Sequence, residues 1–275
     1  MEIRYLADQV RYQQMNSQEL RETFLIQDLF VQDQVSLYYT ETDRCVVGSA
    51  VPVNQALRLS VGKELASDYF AERREVGIMN IGATGSVVAD GTAYELRNRE
   101  GLYVGRGSKE IVFHSASAEQ PAKFYLLSYP AHKAYPTKKV GKQQASTVAL
   151  GSVEKANKRT IFKYIHPASM ESCQLVMGLT ELEKGSVWNT MPPHTHERRT
   201  EIYMYFDLGD DLLFHFMGAP EQTRHLVVRE GQAVVSPSWS IHAGVGTSNY
   251  AFIWGMGGEN QEFDDMDGID LDKIN

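Results

Sequence analysis

Cysteine is scarce in this sequence: Cys45 and Cys173 are the only two among 275 residues. Two thiols are too few for a disulfide framework or a thiolate metal site, and their scarcity favours a reducing compartment. No apolar run approaches the roughly 18 residues that span a bilayer. The N-terminal stretch MEIRYLADQVRYQQ also lacks the apolar core and cleavage site of a signal peptide. We therefore expect a cytoplasmic protein with no membrane segment.

Positive charge is also in short supply. The chain has 27 Lys and Arg against 35 Asp and Glu, which gives a formal net charge of −8. Nucleic acids and anionic membranes bind proteins through basic patches, so this balance argues against both as partners. Single basic groups can still bind a small anion inside a pocket. Hydrophobic residues at 43% and charged residues at 23% are typical of a folded globular protein.

Helical periodicity is missing from most of the chain. One helix is predicted in NSQELRETFLIQDLFV, where Ser17 is a candidate N-cap. Apolar residues follow it at helical spacing: Leu20, Phe24, Leu25 and Leu29. Elsewhere short β-type runs alternate with turn residues, as in VSLYYT, EVGIMNIG, EIVFHS, EIYMYFDL and YAFIWGMG. Short strands at regular spacing predict an all-β sandwich or barrel with a few short helices.

The strand-like runs fall into two halves of similar length and style. Residues 141–158 are polar and carry little core-forming pattern, which predicts a linker. The prediction is therefore two β-barrels of one design, at residues 1–140 and 159–275. The C-terminal stretch ENQEFDDMDGIDLDKIN is acidic, and we expect it to be a solvated tail.

A pair of histidines, His194 and His196, stands in MPPHTHERRTEIYMYF. Side chains two residues apart point to the same face of an extended segment. A proline disfavours helical backbone in the residue before it, so Pro192 and Pro193 hold this approach extended. A turn through ERRT would then return the carboxylate of Glu201 to the two rings.

A third histidine, His242, follows a later strand and a proline-containing turn in PSWSIHAG. Three imidazoles and one carboxylate suit a borderline divalent ion such as Zn²⁺, Fe²⁺, Mn²⁺ or Ni²⁺. The first half offers no comparable set, because His114 and His132 are isolated there. The N-terminal barrel is therefore predicted to lack metal ligands.

These spacings resemble the two motifs of the cupin superfamily. The first motif corresponds to Gly185, His194, His196, Glu201 and Gly209. The second corresponds to Gly231, Pro237 and His242. Three departures stand out: a longer first interval, Trp239 in place of a usual glycine, and Gly246 in place of a usual asparagine. All four ligand positions are nevertheless filled.

Longer stretches resemble one cupin family in particular. GSVWNTMPPHTHERRTEIYMYFDL, TRHLVV, SPSWSIHAG, SNYAFIWGMGGEN and DMDGI are similar to the 4-deoxy-L-threo-5-hexosulose-uronate ketol-isomerases (5-keto-4-deoxyuronate isomerases) of pectin and glycosaminoglycan breakdown. The resemblance spans nearly the whole chain. It implies a two-barrel cupin, one zinc ion per chain and a homo-hexamer. Four residues fall on the family's zinc positions: His194, His196, Glu201 and His242.

The resemblance implies an aldose–ketose isomerase that converts 4-deoxy-L-threo-5-hexosulose uronate to 3-deoxy-D-glycero-2,5-hexodiulosonate. A divalent cation can stabilise the negative charge that develops on the substrate oxygens. Four protein ligands would fill a tetrahedral zinc shell, so a structural metal is an open alternative. The same ligands also suit an Fe(II)-dependent cupin dioxygenase. A non-enzymatic sugar-acid-binding cupin is a third reading, because the barrel does not specify a reaction.

Two residues are candidates for proton transfer. Strand alternation places Tyr203 and Tyr205 on the face of Glu201, and Tyr205 could move a proton or hydrogen-bond a substrate oxygen. His215 lies in the apolar run LLFHFMG, where acid–base work competes with the role of a hydrogen-bonded core histidine.

The substrate's carboxylate calls for an arginine, whose planar fork matches it. Arg198, Arg199 and Arg224 are the nearest candidates in the sequence. The expected partner is therefore a small keto-uronate, not a nucleic acid or a membrane.

Overall fold

The computed structural model describes residues 1–275 and confirms the all-β class. Two short α-helices lie near the N-terminus, at Gln9–Gln14 (α1) and Ser17–Phe24 (α2). Neither is long enough or apolar enough to cross a membrane. Three single 3₁₀ turns complete the helical content: Thr42–Arg44, Lys63–Leu65 and Leu271–Lys273.

The remaining regular structure consists of short strands. Before residue 141 these are β1 Glu2–Arg4, β2 Leu25–Ile26, β3 Val35–Thr40, β4 Val46–Ala50, β5 Leu57–Arg58, β6 Arg74–Asn80, β7 Gly85–Ala89, β8 Thr92–Leu96, β9 Gly101–Val104, β10 Ile111–Ser115, β11 Phe124–Pro130 and β12 Lys138–Val140. After it come β13 Ser146–Leu150, β14 Arg159–Ile165, β15 Val176–Leu182, β16 Trp188–Asn189, β17 His194–Thr195, β18 Glu201–Phe206, β19 Leu213–Gly218, β20 Arg224–Val228, β21 Ala233–Ser236, β22 Ile241–Gly246, β23 Ala251–Met256 and β24 Asp267–Gly268.

Each half pairs a seven-stranded sheet with a four-stranded one. The first half has the orders β1-β3-β4-β11-β6-β9-β12 and β5-β10-β7-β8. The second has β13-β14-β15-β23-β18-β21-β2 and β16-β22-β19-β20. The strands of the two halves correspond in the order in which they follow along the chain. In the four-stranded sheets, the order β5-β10-β7-β8 corresponds to β16-β22-β19-β20. In the larger sheets, the five central strands β3-β4-β11-β6-β9 correspond to β14-β15-β23-β18-β21. The two halves therefore share one topology.

The N-terminal helix departs from the predicted one at both ends. Asn16, not Ser17, is the N-cap: its side chain accepts from the backbone N–H of Glu19, whose carboxylate accepts from the N–H of Asn16. This reciprocal capping box satisfies two N–H groups at the helix start. The helix ends at Phe24, because the next two residues form β2 and pair with β21 of the other half.

The structure also departs from the predicted boundaries between the halves. The stretch 141–158, predicted as a linker, contains β13, which pairs antiparallel with β14 at the edge of the second sheet. The helices α1 and α2 pack on the second barrel, where Tyr12 and Leu20 join the core. The hydroxyl of Tyr12 donates to the carbonyl of Met217 at 2.9 Å. The start of the chain thus covers the C-terminal barrel.

The two seven-stranded sheets pack against each other through a shared apolar core that draws buried residues from both halves. Close contact is needed there: a Cβ added at Gly255 would lie 2.1 Å from Cδ2 of Leu127. A buried carboxylate adds a polar connection. Glu75 of β6 accepts hydrogen bonds at 2.7 Å from the backbone N–H groups of three residues just before β15: Cys173, Gln174 and Leu175.

In the second barrel, the predicted ligands Glu201 and His242 lie on β18 and β22. The corresponding strands of the first barrel have apolar side chains in its interior. Val76 and Ile78 of β6 belong to its core, and β6 is the counterpart of β18. Phe113 of β10 is in the same core, and β10 is the counterpart of β22. The two isolated histidines of the first half differ in exposure: His114 is partly buried and His132 is exposed. The one group of histidine and carboxylate ligands close enough to hold a metal lies in the second barrel.

Candidate metal centre

Four side chains converge inside the second barrel: His194, His196, Glu201 and His242. His194 is on β17, His196 follows that strand, Glu201 opens β18, and His242 is on β22. One ligand atom from each residue lies within 4.8 Å of every other. His196, Glu201 and His242 are almost fully buried, and His194 is partly exposed. The structure thus brings together all four residues that the sequence predicts as metal ligands.

The distances between these atoms fit a single ion. Nε2 of His194 lies 3.0 Å from Nε2 of His196 and 3.0 Å from Nε2 of His242. Oε2 of Glu201 lies 2.9 Å from Nε2 of His196 and 3.5 Å from Nε2 of His242. Tetrahedral ligands at about 2.0–2.1 Å from an ion stand about 3.3 Å apart. The cluster could therefore hold a divalent metal.

Burial sets the charge state that metal binding needs. It lowers the pKa of His194 to about 4 and the pKa of His242 well below its ordinary value, so both rings are neutral near pH 7. Burial alone would raise the pKa of Glu201, but the hydrogen bond to His196, the adjacent imidazoles and Arg199 outweigh it and hold that pKa well below its usual range. Neutral imidazoles and an ionised carboxylate are the forms that coordinate a cation.

A carboxylate from the C-terminal tail supports the cluster from behind. Oδ1 of Asp265 lies 3.3 Å from Nδ1 of His196, the ring nitrogen that faces away from the other ligands. The same carboxylate accepts from Nη2 of Arg199 at 2.7 Å and from Nε of Arg198 at 3.0 Å. The tail is fixed here by β24, which pairs with β17. Most of the tail is exposed, as expected for a solvated segment, but Asp265 is held by the arginines of the ligand loop.

The first barrel also reaches this loop. The carboxylate of Asp43 accepts from the backbone N–H of Thr200 at 2.7 Å and from its hydroxyl at 2.6 Å. Thr200 stands between Arg199 and Glu201 and is fully buried. Asp43 therefore holds the backbone that presents Glu201 to the cluster. Sequence separation hides this contact, and no local motif marks it.

Asp265 is expected to strengthen metal binding, because its carboxylate lies 3.3 Å from Nδ1 of His196 and binds Arg199, which lies beside Glu201. In Asp265→Asn we expect the affinity for Zn²⁺ to fall by about 10- to 100-fold, the usual cost of losing a carboxylate behind a ligating histidine. Competition with a chromophoric chelator measures this directly. Asp264→Asn is the matched control, because Asp264 is exposed in the same tail. Equal affinities in the two variants would contradict the role given to Asp265.

A cavity of about 210 Å³ opens beside the cluster and includes His194, His196 and Glu201 in its lining. Its remaining wall is largely apolar: Ile161, Phe252, Trp254, Met256, Phe263 and Met266. A few polar side chains also line it: Arg159, Thr180, Thr190 and Tyr203. An apolar enclosure with a few polar groups near titratable residues is the usual form of a small-molecule site.

The proton-transfer candidates lie at different depths. The Tyr205 hydroxyl is 2.8 Å from Nδ1 of His215, both residues are fully buried, and neither lines the cavity. Burial lowers the pKa of His215 to about 3, which keeps its ring neutral. Tyr203, two residues earlier on β18, is the tyrosine in the cavity wall. Burial, followed by the charge of Glu201, raises the pKa of Tyr203 well above its usual value, so its hydroxyl stays protonated.

Of the three arginines predicted to bind the substrate, only one lines the cavity. Arg199 lines the cavity, but its guanidinium is bound by Asp265. Arg198 donates to Asp265 and to the carbonyls of two tail residues, Gly258 and Glu262. The structure does not bring Arg224 to this cavity. Its guanidinium donates to the carbonyls of residues at the end of α1, Gln13 and Met15.

One arginine that sequence reasoning missed lies in the cavity wall. Arg159 opens β14 and shares the inward face with Ile161. The signal available in the sequence was strand alternation in RTIFKYI, but that pattern does not say which face is inside.

Fold and site together define a cupin-like β-barrel protein in which a buried cluster of three histidines and one glutamate, able to hold a metal, lies beside a cavity. The family description KduI/IolB matches residues 24–274. A ketol-isomerase of Lachnoclostridium phytofermentans, named as acting on 4-deoxy-L-threo-5-hexosulose uronate, is 54% identical over 100% of both chains. A relative of the same name from Escherichia coli is 51% identical over 98% of both chains. The chain belongs to the KduI/IolB family, which confirms the resemblance found in the sequence.

Solved structures agree on the fold. An IolB-like protein from Salmonella typhimurium superposes with a TM-score of 0.67 over 87% of this chain and 94% of its own, at 12% identity. An oxalate decarboxylase from Lactobacillus farciminis superposes with a TM-score of 0.54 over 83% and 80%, at 10% identity. At such low identity these likenesses carry the fold alone.

Proposed function

We propose that the protein catalyses the isomerisation of 4-deoxy-L-threo-5-hexosulose uronate to 3-deoxy-D-glycero-2,5-hexodiulosonate, using a divalent metal held by His194, His196, Glu201 and His242. The observation that carries the proposal is the cluster of four potential metal ligands, three of which line the cavity, in a chain that aligns end to end with relatives named for this reaction. Those relatives are ketol-isomerases, so the dioxygenase and sugar-acid-binding alternatives have no support among them.

The reaction moves hydrogen between two adjacent carbons, turning an aldehyde next to a hydroxyl-bearing carbon into a ketone next to a hydroxymethyl group. A divalent cation bound by the cluster supplies a Lewis acid for the charge that develops on the two oxygens. The protonated hydroxyl of Tyr203 faces the same cavity and can donate a hydrogen bond to one of those oxygens. The apolar wall around Phe252 and Trp254 limits the access of water.

Zinc is the metal we propose. Three imidazole nitrogens and one carboxylate oxygen at near-tetrahedral spacing favour zinc over hard cations such as Mg²⁺, which prefer six oxygen ligands. The resemblance supports three further parts of the proposal: a homo-hexamer, a cytoplasmic location, and a place in the breakdown of pectin- or glycosaminoglycan-derived uronates.

The test is direct conversion. The purified protein is incubated with unsaturated uronate monomer, which opens spontaneously to the keto-aldehyde, and the aldehyde signal is followed by NMR. We expect enzyme-dependent loss of the aldehyde, formation of the 2,5-diketo acid and no oxygen uptake. Oxygen consumption during turnover would instead indicate a dioxygenase, and binding without conversion would indicate a binding protein. Either result would overturn the proposal.

A further inference from the structure

Two of the arginines at the site have little capacity left for a ligand. The side chain of Arg199 is only 1% exposed and binds Asp265, with Glu201 3.4 Å away. Arg198 binds the same Asp265 and two backbone carbonyls. Two guanidinium groups thus face two carboxylates inside the protein. A substrate anion that recruited either arginine would have to break a buried ion pair, which is costly.

Arg159 is in the opposite situation. It lines the cavity, and no carboxylate oxygen of the protein lies within 4.0 Å of its guanidinium. Its one hydrogen bond to the protein runs from Nη1 to the carbonyl of Asn157 at 2.9 Å. The other nitrogens of the fork have no protein partner. Burial lowers the pKa of Arg159, with Tyr203 and Tyr250 opposing the shift. A half-buried cation without a counter-ion gains from an anion that enters the cavity.

The position of Arg159 also suits one end of an elongated ligand. It lies on β14, and Glu201 of the metal cluster lies on β18, with β15 and β23 between these strands. Three strand intervals correspond to roughly 14 Å across the sheet. The strand register adds to this separation, because it sets Arg159 level with the Phe206 end of β18, the opposite end from Glu201. The cavity therefore has a metal-binding end and a cationic end. The open-chain substrate has the matching polarity, with its reacting aldehyde at one end and its carboxylate at the other.

We propose that Arg159 binds the carboxylate of the substrate and places the aldehyde end at the metal cluster. The inference rests on the proposed function for the identity of the substrate, and on the unpaired guanidinium for the chemistry. A carboxylate can accept two parallel N–H bonds from such a fork. Arg159 therefore selects acids over neutral hydroxyaldehydes of the same length.

Steady-state kinetics of Arg159→Gln test the proposal. We expect KM for the keto-uronate to rise about 100-fold with a smaller change in kcat, because the lost contact lies away from the reacting carbons. The methyl ester of the substrate should turn over with equal efficiency in the variant and the wild type. Arg159→Lys keeps the charge without the fork, and we expect an intermediate KM. Arg97→Gln is the control, because Arg97 is exposed in the first barrel.

A binding measurement separates this inference from the proposed function. Calorimetry uses the substrate reduced at its aldehyde, which cannot isomerise, and zinc content is measured on the same samples. We expect weaker binding to Arg159→Gln with unchanged zinc content. Unchanged KM in this variant beside a fully active wild type would overturn the role of Arg159 and leave the function standing. If the wild type does not turn over the keto-uronate, the proposed function is wrong. In that case, equal binding of the analogue by Arg159→Gln and the wild type would overturn the role of Arg159 as well. If Arg159→Gln does not fold, Arg159→Lys replaces it in both measurements. A KM and an analogue affinity equal to those of the wild type would then overturn the proposal.

Discussion

Replacing His242 with alanine is expected to remove metal and activity together. His242 supplies one of four converging ligand atoms, and its Nε2 is 3.0 Å from that of His194. Three ligands bind zinc far less tightly than four, and the loss of a Lewis acid worth several kcal/mol lowers turnover by roughly 10³-fold or more. Metal analysis after dialysis and the NMR conversion assay measure the two quantities on one sample.

The control for this prediction is His225→Ala. His225 is exposed on β20 of the same barrel, so the variant makes the same chemical change outside the cluster. It should keep both its metal and its activity. A structural metal would give a different pattern: the His242→Ala protein would have a lower melting temperature, while the fraction still folded would turn over normally. Metal-free protein with full turnover would contradict a catalytic role for the ion.

The clustering of the four candidate metal ligands is the part of the site most open to prediction from the sequence. Their spacing follows from local rules, because residues two apart share a strand face and a short turn brings Glu201 back to His194 and His196. His242 needed the second motif, since its approach depends on the pairing of β19 with β22. The all-β class was equally accessible, because it rests on the period-two pattern of many strands.

The boundaries between the halves were less accessible because tertiary pairing overrides local pattern there. Leu25 fits a helical period with Leu20 and Phe24, yet it extends into β2 because β21 offers backbone partners far along the chain. The edge strand β13 is mostly exposed, and its three apolar residues follow one another instead of alternating with polar ones. Local composition favours a linker in such a segment, and only the ladder with β14 makes it a strand.

The residues of the cavity wall are the hardest to predict. Strand alternation indicates which side chains point into the barrel, but it does not indicate which of them reach the cavity and which lie in the core beneath it. Tyr203 and Tyr205 share the inward face of β18, and only the packing shows which one reaches the cavity. Similarly, proximity in sequence favoured Arg198 and Arg199. Asp265 of the acidic tail forms ion pairs with both of these arginines, and we therefore assign the binding of the substrate's carboxylate to Arg159.

The second large effect is expected at Tyr203. In Tyr203→Phe the cavity loses its tyrosine hydroxyl, the protonated donor nearest in sequence to the ligand Glu201. Removing one such donor from an enclosed site typically lowers kcat by about 10²- to 10³-fold. We expect a loss of this size in the conversion assay, with zinc content unchanged because Tyr203 is not in the ligand set.

Tyr205→Phe is the matched control, because the same atom is removed two residues along the same strand. The Tyr205 hydroxyl bonds to Nδ1 of His215 and lies outside the cavity lining. Losing that buried bond should lower the free energy of unfolding by about 1 kcal/mol, visible as a lower melting temperature, while kcat changes only a few-fold. The reverse order, with Tyr205→Phe the slower enzyme, would mean that the buried Tyr205–His215 pair takes part in proton transfer. That result would move the acid–base machinery from the cavity wall to the core beneath it.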